Sequence, residues 1–184
     1  MELESYDTLG EIQFLAEHTI LKFIENIIQL NINNEDLSIK ELNLKCNFSE
    51  TISIKSFIHR MVRYIKPEPE EIIMWSVLLY KLSNIISSNT IHKTLAGITM
   101  LVNKFHCDLT SCNTYFSKVS GITLHEINEI EIKILNLLNW NILISDGEFW
   151  QILIFLRNTC ELNTCDDIIN RMVVRYYDNK NFAY

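Results

Sequence analysis

The chain has 184 residues, of which 48% are hydrophobic and 21% are charged, and its formal net charge at pH 7 is −7. This length and apolar content allow one sizeable core, which favours a single domain. The negative charge counts against general binding to nucleic-acid phosphates, and no apolar run approaches the roughly 20 residues of a membrane span.

The first predicted element is an amphipathic helix near the N-terminus. Thr8-x-x-Glu11 fits a capping box, and apolar residues then recur at helical spacing from Ile12 to Ile28. The stretch 31–48 is polar and irregular, which predicts a connector. The acidic start 1–7 lacks the basic residues and apolar run of a signal peptide. Together with the cysteine pattern below, which favours a reduced compartment, this leads us to expect an intracellular protein, nuclear or cytoplasmic, with no membrane partner.

Two prolines separate the next two helices. An apolar stripe over 54–65 predicts a helix that Pro67 ends. Its other face carries the side chains of Lys55, His59, Arg63 and Lys66. Pro69 suits the first turn of the following helix, which should continue to about Ile86 and is apolar on nearly all sides. Since a helix that is hydrophobic all round is usually buried, we expect this one to be central.

The rest of the chain also follows helical patterns. Predicted helices run from Ile91 to Phe105, from the capping box Thr123-x-x-Glu126 to Leu138, from Ser145-x-x-Glu148 to about Arg157, and onward from Thr164-x-x-Asp167. No convincing strand pattern occurs. Five consecutive helices between about residues 52 and 158 predict an all-α fold. Glu131 interrupts the apolar pattern of its helix, so it should be paired or face a partner.

Nothing in the sequence indicates catalysis, a metal or a cofactor. The chain has five cysteines, an odd number without a CxxC pair: Cys46, Cys107, Cys112, Cys160 and Cys165. We expect them to be reduced and metal-free, because His106-Cys107 with Cys112 lacks the second half of a zinc site. No phosphate-cradling glycine loop, HExxH or GxSxG is present, and a cysteine enzyme would need a histidine and an acid in register.

Several segments match the pattern of one family. They are Arg60-Met-Val-Arg-Tyr64, Leu78-Leu-Tyr80, Asn89-Thr-Ile-His-Lys93, Lys104-Phe105 and the ungapped run from Asn113 to Glu131. These segments resemble the P/U-type cyclins, the phosphate-regulon kind, and the resemblance covers roughly residues 12–150. It implies a five-helix cyclin box at 51–158, an N-terminal helix with a connector at 1–50, and a C-terminal helix at 159–184.

The resemblance also implies a function. A cyclin is a regulatory subunit that binds and activates a cyclin-dependent kinase as a heterodimer, without chemistry of its own. In cyclins, the lysine that ends the third box helix and the glutamate in the fifth reach the backbone at the start of the kinase's regulatory helix. By position these are Lys104 and Glu131. By the same alignment, the side chains that would pack on the kinase helix are Phe105, Leu135, Trp140 and Ile142. The alternative is a cyclin-box scaffold or transcription-type adaptor without kinase activation.

The chain departs from the family pattern at a residue that should contact the predicted helix over 54–65, and in a later turn. The family has an acid where this chain has Leu82, and that acid normally pairs with the arginine at the position of Arg60. We therefore expect Arg60 to turn outward beside Lys55 and Arg63 rather than to take a replacement carboxylate or carbonyl. This basic face is either solvated or a surface that binds a phosphate or an acidic substrate. Ser120 also replaces the first glycine of the family's Gly-Gly turn.

Overall fold

The computed structural model describes residues 10, 20–31, 44, 52–107 and 111–159. Within these ranges the chain forms α-helices joined by loops and no strand, which confirms the all-α fold class. The helices are α1 (Leu21–Asn31), α2 (Ile54–Ile65), α3 (Pro69–Lys81), α4 (Ile91–His106), α5 (Asn113–Ser120), α6 (Leu124–Leu137) and α7 (Asp146–Thr159). The Thr8 capping box and the helix predicted after Thr164 lie outside the described residues.

The boundaries of α2 and α3 follow the prolines, as predicted. Lys66 takes a left-handed conformation with φ 52° directly after α2, and Pro69 occupies the first turn of α3. The Glu71 carboxylate accepts the Glu68 backbone N–H at 2.8 Å and closes a capping box. However, α3 ends at Lys81, and Ser83–Ile85 forms a separate 3₁₀ turn. The prediction of one helix to Ile86 was therefore wrong.

The central helix is α4 rather than α3. Every residue of α4 from Ile91 to Asn103 is buried, and the helix packs on α2, α3, α5 and α6. Its two buried threonines bond within the helix; for example, Thr94 donates from Oγ1 to the Thr90 carbonyl at 3.0 Å. Such internal hydrogen bonds make burial compatible with a polar composition. The more apolar α3 packs between α4 and α7.

The N-terminal helix α1 belongs to the same core. Phe23, Ile24 and Ile27 are buried on one face, as the periodicity predicted. The Phe23 ring centroid lies 5.4 Å from that of Phe155 on α7 and 6.4 Å from that of Tyr80 on α3. An aromatic cluster therefore joins α1 to α3 and α7.

The contact between α4 and α6 depends on a glycine. A Cβ atom at Gly97 would lie only 2.6 Å from Cγ2 of Ile130 and 2.9 Å from Cγ1 of Ile134. The missing side chain lets the two helices approach closely. Lys104 lies two turns further along α4, and Glu131 lies between the two isoleucines in sequence, so this approach helps to set the geometry of the site below.

The turn between α5 and α6 accommodates the serine that replaces the family's glycine. Gly121 adopts φ 75° and its N–H bonds the Ser117 carbonyl at 2.9 Å, so this position does need a glycine. Ser120 Oγ donates to the Phe116 carbonyl at 2.7 Å and accepts from the Ile122 N–H at 3.2 Å. The predicted capping box of Thr123 and Glu126 then begins α6.

Candidate functional site

Lys104 and Glu131 form an ion pair between the last turn of α4 and the middle of α6. Lys104 Nζ lies 2.6 Å from Glu131 Oε1, and the side chains are 31% and 18% exposed. Asn113, the first residue of α5, donates from Nδ2 to Glu131 Oε2 at 2.8 Å and to Asn128 Oδ1 at 2.8 Å. Glu131 is therefore paired, one of the two states that its place in an apolar helix predicted. We call Lys104, Asn113 and Glu131 the charged cluster.

The charged cluster retains hydrogen-bonding capacity. The Lys104 ammonium has three N–H groups and gives one to Glu131, while each oxygen of Glu131 can accept more than one bond. Both side chains reach solvent in part. The cluster can therefore offer donors and acceptors together to the polar backbone of a partner.

Sequence reasoning did not assign Asn113 or Asn128 to the site. Both residues belong to the ungapped run from Asn113 to Glu131, so the signal was present in the resemblance. What the sequence could not supply was the contact itself, because Asn113 and Glu131 come from different helices. Asn113 fixes one oxygen of the Glu131 carboxylate and thereby orients it.

Large apolar side chains follow the charged cluster along the chain. Phe105, next to Lys104, is 51% exposed, and Trp140, beyond the end of α6, is 63% exposed. Leu135 lies one turn after Glu131 on α6, and both Leu135 and Ile142 are partly buried against the core. Of the apolar residues predicted for an interface, Phe105 and Trp140 are thus available for contact, whereas Leu135 and Ile142 also support the fold. Leu143, which was not predicted, is highly exposed as well.

Trp140 is held by an unusual helix end. The Trp140 backbone N–H donates to the Leu135 carbonyl at 2.7 Å, and the Asn139 backbone N–H donates to the Asn136 carbonyl at 3.0 Å. This pair of hydrogen bonds is a Schellman motif. Asn139 and Trp140 both have positive φ, 51° and 60°. Trp140 Nε1 also donates to Asn136 Oδ1 at 3.0 Å. The indole is therefore exposed and yet tied to α6.

Lys81 fixes the loop that follows Trp140. Its Nζ donates to the Leu143 carbonyl at 3.0 Å and lies 3.0 Å from Glu148 Oε1. The Ser145 backbone N–H also bonds the Glu148 carboxylate, and this bond is the main reason that the pKa of Glu148 lies below its ordinary value. Lys81 therefore connects the end of α3 to the start of α7, a role that sequence reasoning did not assign to it.

Arg60 does not follow the basic face outward. It is half-buried, and Nη2 donates to the Lys118 carbonyl of α5 at 3.1 Å. Lys118 lies in the last turn of α5, where carbonyls lack helical partners. The outward prediction was therefore wrong: with Leu82 in place of the acid, Arg60 uses a replacement carbonyl, the alternative that we did not favour.

A groove of about 520 Å³ lies between α2 and α5. It is lined by Ser56, His59, Arg60, Arg63, Tyr64, Tyr115, Lys118 and Val119. The Tyr115 hydroxyl donates to the Tyr64 carbonyl and helps to join the two helices. Of the predicted basic face, Arg60 and Arg63 line this groove, whereas Lys55 does not. We call this feature the basic groove.

The structure describes two of the five cysteines, Cys107 and Cys112. Among the residues that the structure describes, no group of three His, Cys, Asp or Glu side chains could hold a metal ion. Cys107 Sγ lies 3.7 Å from Glu71 Oε1, and burial raises the pKa of Glu71 above its ordinary value. Cys46, Cys160 and Cys165 lie outside the described residues, so the reduced, metal-free state stays a prediction.

In the described ranges, no helix has both the length and the apolar character that crossing a bilayer requires.

Comparison with known proteins gives one consistent family. The cyclin family's sequence profile matches residues 19–142. Cyclin-U2-2 of Arabidopsis thaliana is 26% identical over 109 residues, which are 56% of this chain and 47% of that protein. The PHO85 cyclin-like protein psl1 of Schizosaccharomyces pombe is 30% identical over 103 residues, which are 52% of this chain and 42% of that protein.

PHO85 cyclin-1 of Saccharomyces cerevisiae is 31% identical over 98 residues, which are 49% of this chain and 35% of that protein. The chain thus spans about half, or less, of the length of these relatives. The family profile nevertheless covers more than half of the chain, and both the plant and the yeast relatives are of the type that the motifs indicated. The chain therefore belongs to the cyclin family, as a divergent member of the P/U type.

Proposed function

We propose that this cyclin binds a cyclin-dependent kinase as a heterodimer and activates it by positioning the kinase's regulatory helix. Cyclins are regulatory subunits rather than enzymes, and the names of the yeast relatives, PHO85 cyclins, support a partner of this kind. The kinase would bind the cyclin box at 51–158, flanked by the proposed N-terminal helix and connector at 1–50 and C-terminal helix at 159–184. Such a partner places the complex in the cell interior, nuclear or cytoplasmic.

The charged cluster is the observation that carries this proposal. Lys104 and Glu131 come from different helices, yet they meet at 2.6 Å with Asn113 orienting the carboxylate. The ammonium can bond backbone carbonyls of the kinase, and the carboxylate can bond backbone N–H groups, both as charge-assisted hydrogen bonds. Because the two side chains are already paired, the partner meets a preformed site rather than two mobile chains.

The apolar side chains supply the second part of the interface. Phe105 and Trp140 expose large rings, and Leu135 and Ile142 add half-buried surface. Aromatic side chains beside oriented charges are typical of the residues that dominate binding energy. A helix seated here would be held in one orientation. In a kinase, holding the regulatory helix inward assembles the Lys–Glu ion pair that phosphoryl transfer requires.

The test is a double variant, Lys104→Ala with Glu131→Ala, titrated with a purified PHO85-type kinase. Truncating hydrogen-bonded charges at an interface costs about 2–5 kcal/mol, so Kd should rise by roughly 30-fold or more. The matched control is Glu129→Ala with Lys133→Ala, which removes another ion pair of α6, 3.6 Å long, without touching the charged cluster. Thermal melts by circular dichroism establish that both variants remain folded.

The outcomes separate the proposed function from the alternative. Unchanged kinase affinity in the folded Lys104/Glu131 variant would reject the assignment of the charged cluster. Tight binding of the wild-type chain without any increase in kinase activity would support a scaffold role instead. Trp140→Ala should weaken binding by about 2 kcal/mol or more if the indole is an anchor.

A further inference from the structure

The basic groove stands out against the charge of the whole chain. The formal net charge is −7, yet the groove is lined by Arg60, Arg63, Lys118 and His59 and by no acidic residue. Within the ranges that the structure describes, no carboxylate pairs with Arg60, Arg63 or Lys118. Three basic side chains therefore face one concave surface without a described counter-charge. We infer that the basic groove binds a phosphorylated serine or threonine side chain of a protein segment.

The arrangement of the cations suits a phosphate dianion. Arg60 and Arg63 lie one turn apart on α2, and Lys118 comes from α5 across the groove. Arg60 uses Nη2 for the Lys118 carbonyl, which fixes the guanidinium and leaves its other N–H groups for a ligand. The Arg63 guanidinium lies 5.9 Å from the centroid of the Tyr64 ring, a cation–π distance. A phosphate with about −1.5 to −2 charges at pH 7 can engage several such donors, whereas a single carboxylate matches fewer.

A peptide segment fits the surroundings better than a nucleic acid or a membrane. An extended polyanion would also meet the acidic remainder of the chain, which the net charge of −7 disfavours. The walls carry the exposed rings of Tyr64 and Tyr115, which can pack against residues that flank a phosphate. The volume of about 520 Å³ suits a short segment.

The basic groove and the charged cluster share no residue. Binding of a phosphorylated segment is therefore a property of this chain by itself and can be measured without a kinase. Its use in the cell, to hold phosphorylated substrates or regulators near a bound kinase, rests on the proposed function.

The experiment uses the isolated chain and a fluorescent degenerate peptide library with one fixed phosphoserine. Matched libraries carry serine or glutamate at the fixed position, and a parallel library carries phosphothreonine. Binding is followed by fluorescence anisotropy. Arg63→Gln and Lys118→Gln should each weaken phosphopeptide binding by about 10- to 100-fold, because each removes hydrogen bonds to a charged group. Lys55→Gln is the control, since it removes the same charge from α2 outside the basic groove.

Three results with the isolated chain would overturn the inference. The first is equal binding of the phosphoserine and serine libraries. The second is an equal effect of Lys55→Gln and Arg63→Gln, which would indicate a general charge effect. The third is tighter binding of a single-stranded oligonucleotide or of anionic vesicles than of the phosphopeptides. In parallel, Arg63→Gln should keep its full affinity for the kinase; a comparable loss there would place the groove within the kinase interface and reject a separate site.

Discussion

Replacing Gly97 by alanine tests the central helix contact of this fold. In an exposed helix interior, a change from glycine to alanine stabilises by about 1 kcal/mol, because alanine restricts the unfolded chain. At Gly97 the new Cβ would lie 2.6 Å from Ile130 Cγ2, and ordinary contact begins at 3.4 Å. The two atoms must therefore separate by about 0.8 Å. Ile130 and its neighbour Ile134 are buried and branched at Cβ, so their side chains cannot rotate away freely.

The expected result is a loss of stability despite the better helix former. Overpacking a core costs about 1–3 kcal/mol, and the constrained side chains of Ile130 and Ile134 put Gly97 in the upper part of that range, about 2–3 kcal/mol, which outweighs the gain of about 1 kcal/mol in helix propensity. We expect Gly97→Ala to lower the free energy of unfolding by about 1–2 kcal/mol in urea titrations followed by circular dichroism. The matched control is Gly147→Ala in α7, where an added Cβ meets nothing within 4 Å. That variant should be neutral or slightly more stable.

The pair of variants makes the reasoning refutable. If Gly97→Ala were as stable as the wild type or more so, α4 and α6 could not be as close as the structure places them. If both glycine variants lost stability equally, backbone effects rather than packing would explain the loss. Since α4 and α6 carry Lys104 and Glu131, a wider separation should also weaken kinase binding under the proposed function.

Further predictions concern the packing of Leu78, the protonation of Glu71 and the hydrogen bond of Arg60. Leu78→Ala should lower the free energy of unfolding by about 2–5 kcal/mol, because Leu78 is fully buried, whereas Leu143→Ala at an exposed position should leave the thermal melt nearly unchanged. The pKa of Glu71 is raised in the folded chain by burial, so ionised Glu71 reduces stability at neutral pH and this loss disappears on acidification below the pKa of the unfolded chain. Glu71→Gln lacks this titration, so its free energy of unfolding minus that of the wild type should decrease as the pH falls. Urea titrations at several pH values measure this difference, and a value independent of pH would contradict the prediction. Arg60→Met should cost only about 1 kcal/mol, since it removes a hydrogen bond to the Lys118 carbonyl rather than a buried ion pair; a loss of several kcal/mol would reveal such a pair.

Local signals in the sequence predicted the helices well. The Pro67 and Pro69 boundaries, the Thr123 capping box and the apolar stripe of α2 all depend on residues within a few positions of each other. The break at Leu82 was missed because the apolar pattern continues through it to Ile86. Ser83–Ile85 instead forms a 3₁₀ turn, and Thr90 Oγ1 donates to the Ile85 carbonyl at 2.6 Å.

Contacts between helices were predictable only through the resemblance or not at all. Periodicity indicated that Glu131 needs a partner, but it could not name Lys104, which lies 27 positions away. Periodicity also predicted α3 as the central helix, because α3 is the more apolar of the two. The helix α4 contains Lys93, Thr94 and Asn103, which are polar and nevertheless buried. Thr94 bonds within its own helix, but the burial of Lys93 depends on an ion pair with Glu126 of α6 at 3.2 Å, which the local sequence pattern does not encode.

The left-handed pair Asn139 and Trp140 has a thermodynamic consequence for association. Non-glycine residues in this conformation cost roughly 1–3 kcal/mol each, and a bulky residue such as tryptophan adopts it rarely. The folding of α6 already supplies that free energy and fixes the indole through Asn136. A partner that docks on Trp140 would then lose less conformational entropy than one that must immobilise a mobile ring, which typically costs about 0.5–1.5 kcal/mol per side chain. Asn139→Gly would relieve part of that cost and make the isolated chain more stable, because glycine adopts positive φ without strain. The strain at this turn therefore lowers the stability of the free chain while it holds an exposed indole in one place.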